Sequence, residues 1–280
     1  MSSPSWFPFR KGGFRIDLDY PVEVQPRYGY GKPAHAILQQ RLERNRDGYA
    51  SRLSQFVNFT DRLARIPLVA AEGSVSPCWK NGYLPGLDAV ALYCLAALGN
   101  PQRYFEIGSG HSTRFVRRAI VDHGLRTTVT SIDPSPRAAV EPICDRRFST
   151  GVEQAPVELF DELEAGDILF VDSSHRVFTN SDVTTVFIDI LPRLAPGVLV
   201  QFHDIFWPWD YPPEWSKRYY SEQYLLACYL LAGGERMEIA LPNAFISGDD
   251  RLGALLSPLW ERPELEGVER HGCSFWIQIK

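Results

Sequence analysis

Tyr104-Phe105-Glu106-Ile107-Gly108-Ser109-Gly110-His111-Ser112 reads as a buried strand running through a glycine turn into a helix. Aromatic and β-branched side chains favour the strand. Glycines let the backbone turn tightly and let a ligand approach it, and the next helix points its first amide groups at that ligand. Downstream the same grammar repeats. Residues 111–123 are helical, with Phe115, Val116 and Ile120 on one side, and 127–132 are β-branched up to Asp133-Pro134. Helices are predicted over 138–147 and, short and acidic, over 157–163. Ile168-Leu169-Phe170-Val171 is an uninterrupted apolar run ending at Asp172, the pattern of a strand covered on both faces. A helix over 181–194 and a buried strand over 197–202, ending at His203-Asp204, complete the alternation. Short apolar strands alternating with helices predict an α/β fold, a doubly wound, mostly parallel sheet.

Upstream, residues 1–33 hold too many Pro and Gly for regular structure and read as an irregular arm with a short strand or two. From Ala34 to about Ile66, Ile37, Leu38, Leu42, Tyr49, Leu53, Phe56, Val57 and Leu63 recur at helical spacing, predicting one long or two shorter amphipathic helices. Residues 89–98 form an Ala/Leu helix closed by Gly99-Asn100-Pro101, with Asp88 reading as its cap. The domain reading is therefore an N-terminal arm and helical cap over 1–75 and the α/β domain over 76–280. Beyond the core lie an aromatic segment, a helix near 222–232 and strands near 237–241 and 274–279.

With 45% hydrophobic and 22% charged residues the composition is that of a soluble protein. It holds no apolar run long enough to span a bilayer and no secretory signal pattern, so a cytoplasmic location and no membrane partner are expected. Five scattered cysteines without C-x-x-C spacing read as reduced thiols. The net charge of −5 hides an asymmetry: residues 1–75 carry 11 Lys and Arg against 7 Asp and Glu. That basic segment reads either as a solvated face or as part of a closure over an anionic substrate. The acidic remainder argues against a nucleic-acid partner.

Ligands of open α/β sheets bind beyond the strand C-termini near the reversal of strand order. Four strand ends matter: Glu106 to Gly110, Asp133, Asp172 and His203-Asp204. A G-x-G alone is weak evidence, compatible with an ordinary tight turn, just as Asp133 is compatible with a helix cap. A nicotinamide dinucleotide site wants a third glycine where Thr113 stands, and a P-loop wants G-K-S/T. An NAD-dependent oxidoreductase or epimerase is the rival this leaves, with a non-catalytic binding module as the third reading.

The turn, with Asp133 standing 25 residues beyond Gly108, resembles motif I of the class I S-adenosylmethionine-dependent methyltransferases. A closer resemblance covers about 79–205. Trp79-x-Asn81, Leu87-Asp88-Ala89, Tyr104 to Thr113, Ser131-Ile132-Asp133-Pro134, Gly166 to His175 and Phe202-His203-Asp204-Ile205 look like the methyltransferase-24-like group. This implies a Rossmann-like, seven-stranded core under the N-terminal helical cap, with S-adenosyl-L-methionine as cofactor. It implies that Glu106, Gly108, Ser109, Gly110 and Ser112 line the cofactor's amino acid and Asp133 its ribose, with Asp172 at the methyl end. Glu153 or Gln154, near a short third strand, faces the adenine. It further implies O-methylation of a hydroxyl on a sugar or small natural product.

Catechol-type relatives hold magnesium at the strand ends corresponding to Asp172 and His203-Asp204. Asp172, His203 and Asp204 are therefore the metal candidates, for magnesium or manganese, although a histidine departs from magnesium's preference for oxygen. The metal-free alternative gives the proton to His203 or His175, with Asp172 beside them as the third catalytic candidate. A buried His-Asp pair that merely orders a loop is the plain alternative. The segment Phe206-Trp207-Pro208-Trp209-Asp210-Tyr211-Pro212-Pro213-Glu214-Trp215 reads as a stiff aromatic flap at the site's mouth or a lid packed on the cap. The expected partner is a small molecule, carbohydrate among the candidates; self-association as a homo-oligomer is compatible with the sequence.

Overall fold

The computed structural model describes residues 19–20, 23–136, 139–232 and 236–280. The helices at the N-terminal side are α1 (Ala36–Glu43), α2 (Arg46–Phe56) and α3 (Thr60–Leu63), followed by α4 (Gly86–Gly99). The core runs β1 (Arg103–Ile107), α5 (His111–His123), β2 (Thr128–Ile132), β3 (Arg146–Phe148), β4 (Ile168–Val171), α6 (Asp182–Thr185) and β5 (Leu199–Phe202). Then come α7 (Glu222–Leu231), β6 (Met237–Pro242), α8 (Asn243–Ser247), α9 (Asp250–Ala254), α10 (Ser257–Trp260) and β7 (Phe275–Ile279). Among the described residues no helix is long and apolar enough to cross a membrane.

The sheet has seven strands in the order β3-β2-β1-β4-β5-β7-β6. β1 to β5 run parallel, and β7 runs antiparallel between β5 and β6. This is the Rossmann-like, doubly wound architecture, with strand order reversing between β1 and β4. β4 is wholly apolar, and β1 and β5 are buried beyond their first residue, because helices cover both faces of a parallel sheet. Register then does the positioning. Ile107 pairs with Ile132 and with Val171, and Val171 pairs with Phe202. The residues that follow, Gly108, Asp133, Asp172 and His203, therefore stand in one row along the sheet's C-terminal edge.

The helix expected over 138–147 is absent: a single 3-10 turn at Glu141–Ile143 leads into β3, and Ala138 lies outside the described residues. Pro142 weakens a helix there, and the free edge of β2 offers Arg146–Phe148 a ladder. The third strand thus precedes the Glu153 region, where Val152–Gln154 is a 3-10 turn. The helix over 181–194 forms as one run that widens to a π-turn over Val186–Ile190 and tightens at Leu191–Arg193, where Pro192 ends it. Most of the arm over 1–33 lies outside the described residues; Gly29 and Lys32 form an isolated bridge. Leu38, Leu42, Tyr49, Leu53 and Phe56 join the same buried core as the sheet, with α1 against α7 and α2 against α4, α9 and β6. The described residues of 1–75 cover that flank of the sheet and do not line the cleft described below.

Candidate active site

A cleft of about 540 Å3 opens above the row of strand ends, within the size range of small-molecule sites. Gly108, Ser109, Gly110, His111, Ser112, Asp133 and Asp172 line it, together with Tyr83, Glu153, Ser173, Ser174, Arg176 and Tyr220. Gly108 sits at φ +82°, and a Cβ there would stand 1.9 Å from the Asp172 carbonyl oxygen, so only glycine lets β1 and β4 close. Gly110 is different. Its backbone is extended, and a Cβ would meet nothing within 4 Å, because the space above it is the cleft. Ser109 N donates to Asp133 Oδ2 (2.7 Å), and Ser109 Oγ pairs with Ser131 Oγ (2.6 Å), tying the turn to the end of β2. Asp133 Oδ1 accepts from Ser135 N (2.6 Å).

Glu106 does not line the cleft. It is fully buried beneath the turn and accepts from Tyr104 Oη (3.1 Å) and from the Thr113 hydroxyl, which in turn accepts from Gly110 N (3.0 Å). Burial pushes its carboxyl up to about 7, against the hydrogen bonds of Ser112, Thr113 and Tyr104. Glu106 therefore braces the turn from below, and Thr113 locks the helix start where a dinucleotide fingerprint would carry glycine.

Two residues that sequence reasoning left unassigned complete this half. Asn81 binds the carbonyls of Cys78 and Leu84 and accepts from Tyr83 N and Leu84 N, holding Tyr83 at the rim. Tyr83 stacks on His111 (5.5 Å, 14°). Burial, helped by Arg114, lowers the His111 imidazole to about 4, so it is neutral. His111 Nδ1 and Ser173 Oγ are buried without a hydrogen-bond partner, and both residues line the cleft. Such orphaned atoms mark where a bound ligand's polar groups belong.

The second constellation gathers as expected and extends further. His175 Nδ1 contacts Glu222 Oε2 (2.8 Å), and its Nε2 lies 3.1 Å from Asp172 Oδ1 and 3.5 Å from Asp204 Oδ2. His203 Nδ1 lies 3.2 Å from Asp204 Oδ1 and 3.7 Å from Asp172 Oδ1. On its far side Nε2 is 3.3 Å from Asp88 Oδ2, close but poorly aimed for a hydrogen bond. Burial opposes charge on both imidazoles, yet the surrounding carboxylates outweigh it and hold both pKa values well above the usual 6.5. Both histidines are therefore imidazolium, and neither lines the cleft. Direct proton removal by His175 or His203 does not fit this arrangement. Asp172, whose side chain is 25% exposed, is the member of the network that reaches the cleft. His175 and Asp204 both adopt left-handed backbone (φ 60° and 57°), a conformation tolerated by His and Asp and concentrated at functional sites.

The donor set does not fit a divalent ion at Asp172, His203 and Asp204. His175 Nε2 already sits between the carboxylates of Asp172 and Asp204, and His203 Nδ1 faces both. Asp88 is likewise taken. Rather than capping α4, its fully buried carboxylate accepts from Cys273 N (2.9 Å), Ser274 N (2.8 Å) and Asn243 Nδ2 (2.7 Å), joining α4 to the start of β7.

The segment over 206–215 packs rather than flaps. Trp207 is buried, donates to Gln223 O (2.6 Å) and lies against Tyr28, His35 and Tyr224. Phe206, Tyr211 and Trp215 form a ring cluster whose outer member, Tyr220, is the one that lines the cleft.

Residues 105–205, from β1 to just beyond β5, match the family described as a methyltransferase domain (Methyltransf_24). The structure is similar to that of the plantazolicin methyltransferase BpumL in complex with a monoazolic desmethylPZN analog and SAH. The identity is 13% and the TM-score 0.43, covering 87% of this chain and 99% of that one. It is also similar to the SAH-bound Podospora anserina methyltransferase PaMTH1, with 15% identity and a TM-score of 0.41, covering 90% of this chain and all of that one. No curated protein sequence matches the chain. The sheet order and the open glycine turn agree with that domain match.

Proposed function

We propose that the protein methylates a hydroxyl group of a small natural product or sugar, with residues 1–75 as a cap and 76–280 as the S-adenosylmethionine-binding domain. The observation that carries this is the row of Gly108, Asp133 and Asp172 along one cleft, open above Gly110. S-Adenosylmethionine, when bound, supplies an electrophilic methyl on a sulfonium. Gly108 to Ser112 cradle the cofactor's amino-acid end, Asp133 and Glu153 lie on the side of its nucleoside, and His111 Nδ1 and Ser173 Oγ offer unused polar contacts. Asp172 faces the acceptor hydroxyl and takes its proton as the oxygen attacks. His175 and His203 hold the Asp172 carboxylate in place, and Glu222 orients His175 in turn. Rate enhancement comes chiefly from holding oxygen and methyl in line at near-attack distance.

Calorimetry with S-adenosylhomocysteine tests the reading. Wild type should bind and Gly110→Val should not, since the new side chain fills the cradle, whereas Glu106→Gln should retain binding because Glu106 lies below the turn. No wild-type binding at high micromolar ligand, or full retention in Gly110→Val, would sink it.

A further inference from the structure

We infer that the acceptor is an amphipathic hydroxy acid, whose carboxylate is met by Arg176 and whose apolar body lies along Val177, Phe178 and Tyr219. The inference rests on the methyltransferase reading and deepens it by naming the substrate class. Charge points to it first. Among the described cleft-lining side chains Arg176 is the one permanent cation, beside four acids and the neutral His111. It lies beyond Asp172 to Ser174 on the β4 side, away from the glycine turn and Asp133 where the cofactor belongs.

Its guanidinium is fixed without a counter-charge. Nε donates to Arg218 O (3.1 Å), Nη1 donates to Ser174 O (3.0 Å), and the group lies 5.1 Å from the Tyr220 ring centre. Asp182, the next acid along the chain, accepts from Ser174 N (2.7 Å), Ser174 Oγ (2.6 Å) and Val183 N (2.8 Å). Neither Arg176 nor Arg218 has a carboxylate partner among the described residues. Arg218 stacks 3.8 Å from the Trp215 ring centre and 5.6 Å from that of Tyr220, adding a second positive field behind the same ring. The loop itself is strapped down, with His175 O accepting from Ser221 N (2.7 Å) and Val177 N donating to Ser221 Oγ (2.8 Å). A rigid, unneutralised guanidinium is preorganised for a carboxylate, so little ordering cost is left at binding.

The rim decides the rest of the ligand. Val177 and Phe178 directly follow Arg176 and are exposed, as is Tyr219 beside Tyr220. Three large apolar side chains, outside the cleft lining but within two residues along the chain of Arg176 or Tyr220, favour an apolar body. A neutral sugar would leave Arg176 unpaired and press hydroxyls against that rim.

The test uses the full chain saturated with S-adenosylhomocysteine, titrated calorimetrically with 6-hydroxy-2-naphthoate, its methyl ester and methyl glucoside. The acid should bind roughly tenfold more tightly than the ester, as a charge-assisted hydrogen bond implies. Arg176→Met should make acid and ester equal while leaving S-adenosylhomocysteine affinity unchanged. Equal binding of acid and ester to wild type, no binding of either, or preference for the glucoside overturns the inference. So does loss of S-adenosylhomocysteine in Arg176→Met, which would assign Arg176 to the cofactor. Failure of wild type to bind S-adenosylhomocysteine appears before any probe is added and counts against the methyltransferase reading itself.

Discussion

Replacing Asp88 by Asn should destabilise the protein far more than an isosteric change at an ordinary polar position. Asp88 is fully buried, and its two oxygens serve the Cys273 and Ser274 amides and the Asn243 side chain while facing His203. Asparagine keeps the oxygen toward Ser274 and Asn243 but turns an NH2 toward the Cys273 amide and the imidazolium. An unmade buried hydrogen bond costs about 1–3 kcal/mol, and removing one member of a buried ion pair costs about 3–5 kcal/mol. Asp172 and Asp204 still face His203, so the expected cost is near the lower end, about 3 kcal/mol. In a chain of this size that lowers Tm by on the order of 10 °C.

The sign of the pH dependence follows from both partners. Burial works against the Asp88 charge, but His203 and the hydrogen bonds hold its pKa below 3.8, so its contribution is present above that pH and fades on acidification. The His203 pKa is raised, so its contribution is full below 6.5 and fades as pH climbs through the folded value. The penalty of Asp88→Asn should therefore be largest between about pH 4 and 6.5 and shrink in alkali. Urea unfolding followed by circular dichroism at pH 6 measures it, with the same change in a His203→Gln background. A loss under about 1 kcal/mol, or an identical loss in both backgrounds, would refute the reasoning.

Two further outcomes follow from the same geometry. Gly108→Ala should cost about 3 kcal/mol or more, from positive-φ strain and the clash with the Asp172 carbonyl, read as a lowered urea midpoint; an unchanged midpoint contradicts the close approach of β1 and β4. Stability of the wild type should fall as pH rises from 6.5 to 9, because His175 and His203 have raised folded pKa values and their contributions are lost in that direction. A urea midpoint that rises over this interval would contradict the assignment of two imidazoliums.

How much of this was legible in the chain varies by residue. β1, α5 and β4 could be read to the residue because local pattern suffices: an apolar run, a glycine turn, an amphipathic helix. β3 could not, since Arg146-Arg147-Phe148 has no strand signature and is a strand only because β2 offers it an edge. The spacing of α8 to α10 carried no strong period either, as those short helices are shaped by packing.

Within the site, the sequence alone determined the glycine turn, the acids at the strand ends and the pairing of His203 with Asp204, because these are adjacent along the chain. Tertiary structure decided which of them face the cleft. Glu106 turned downward into the core, Asp88 reached across to β7, Glu222 came from a distant helix to hold His175, and the aromatic segment packed on the cap while Tyr220 reached the rim. The physical reason is that side-chain identity is local, whereas burial and charge pairing depend on what the register and the helix packing bring alongside. Those neighbours lie tens to nearly two hundred residues away in sequence, as with Asp88 and Ser274.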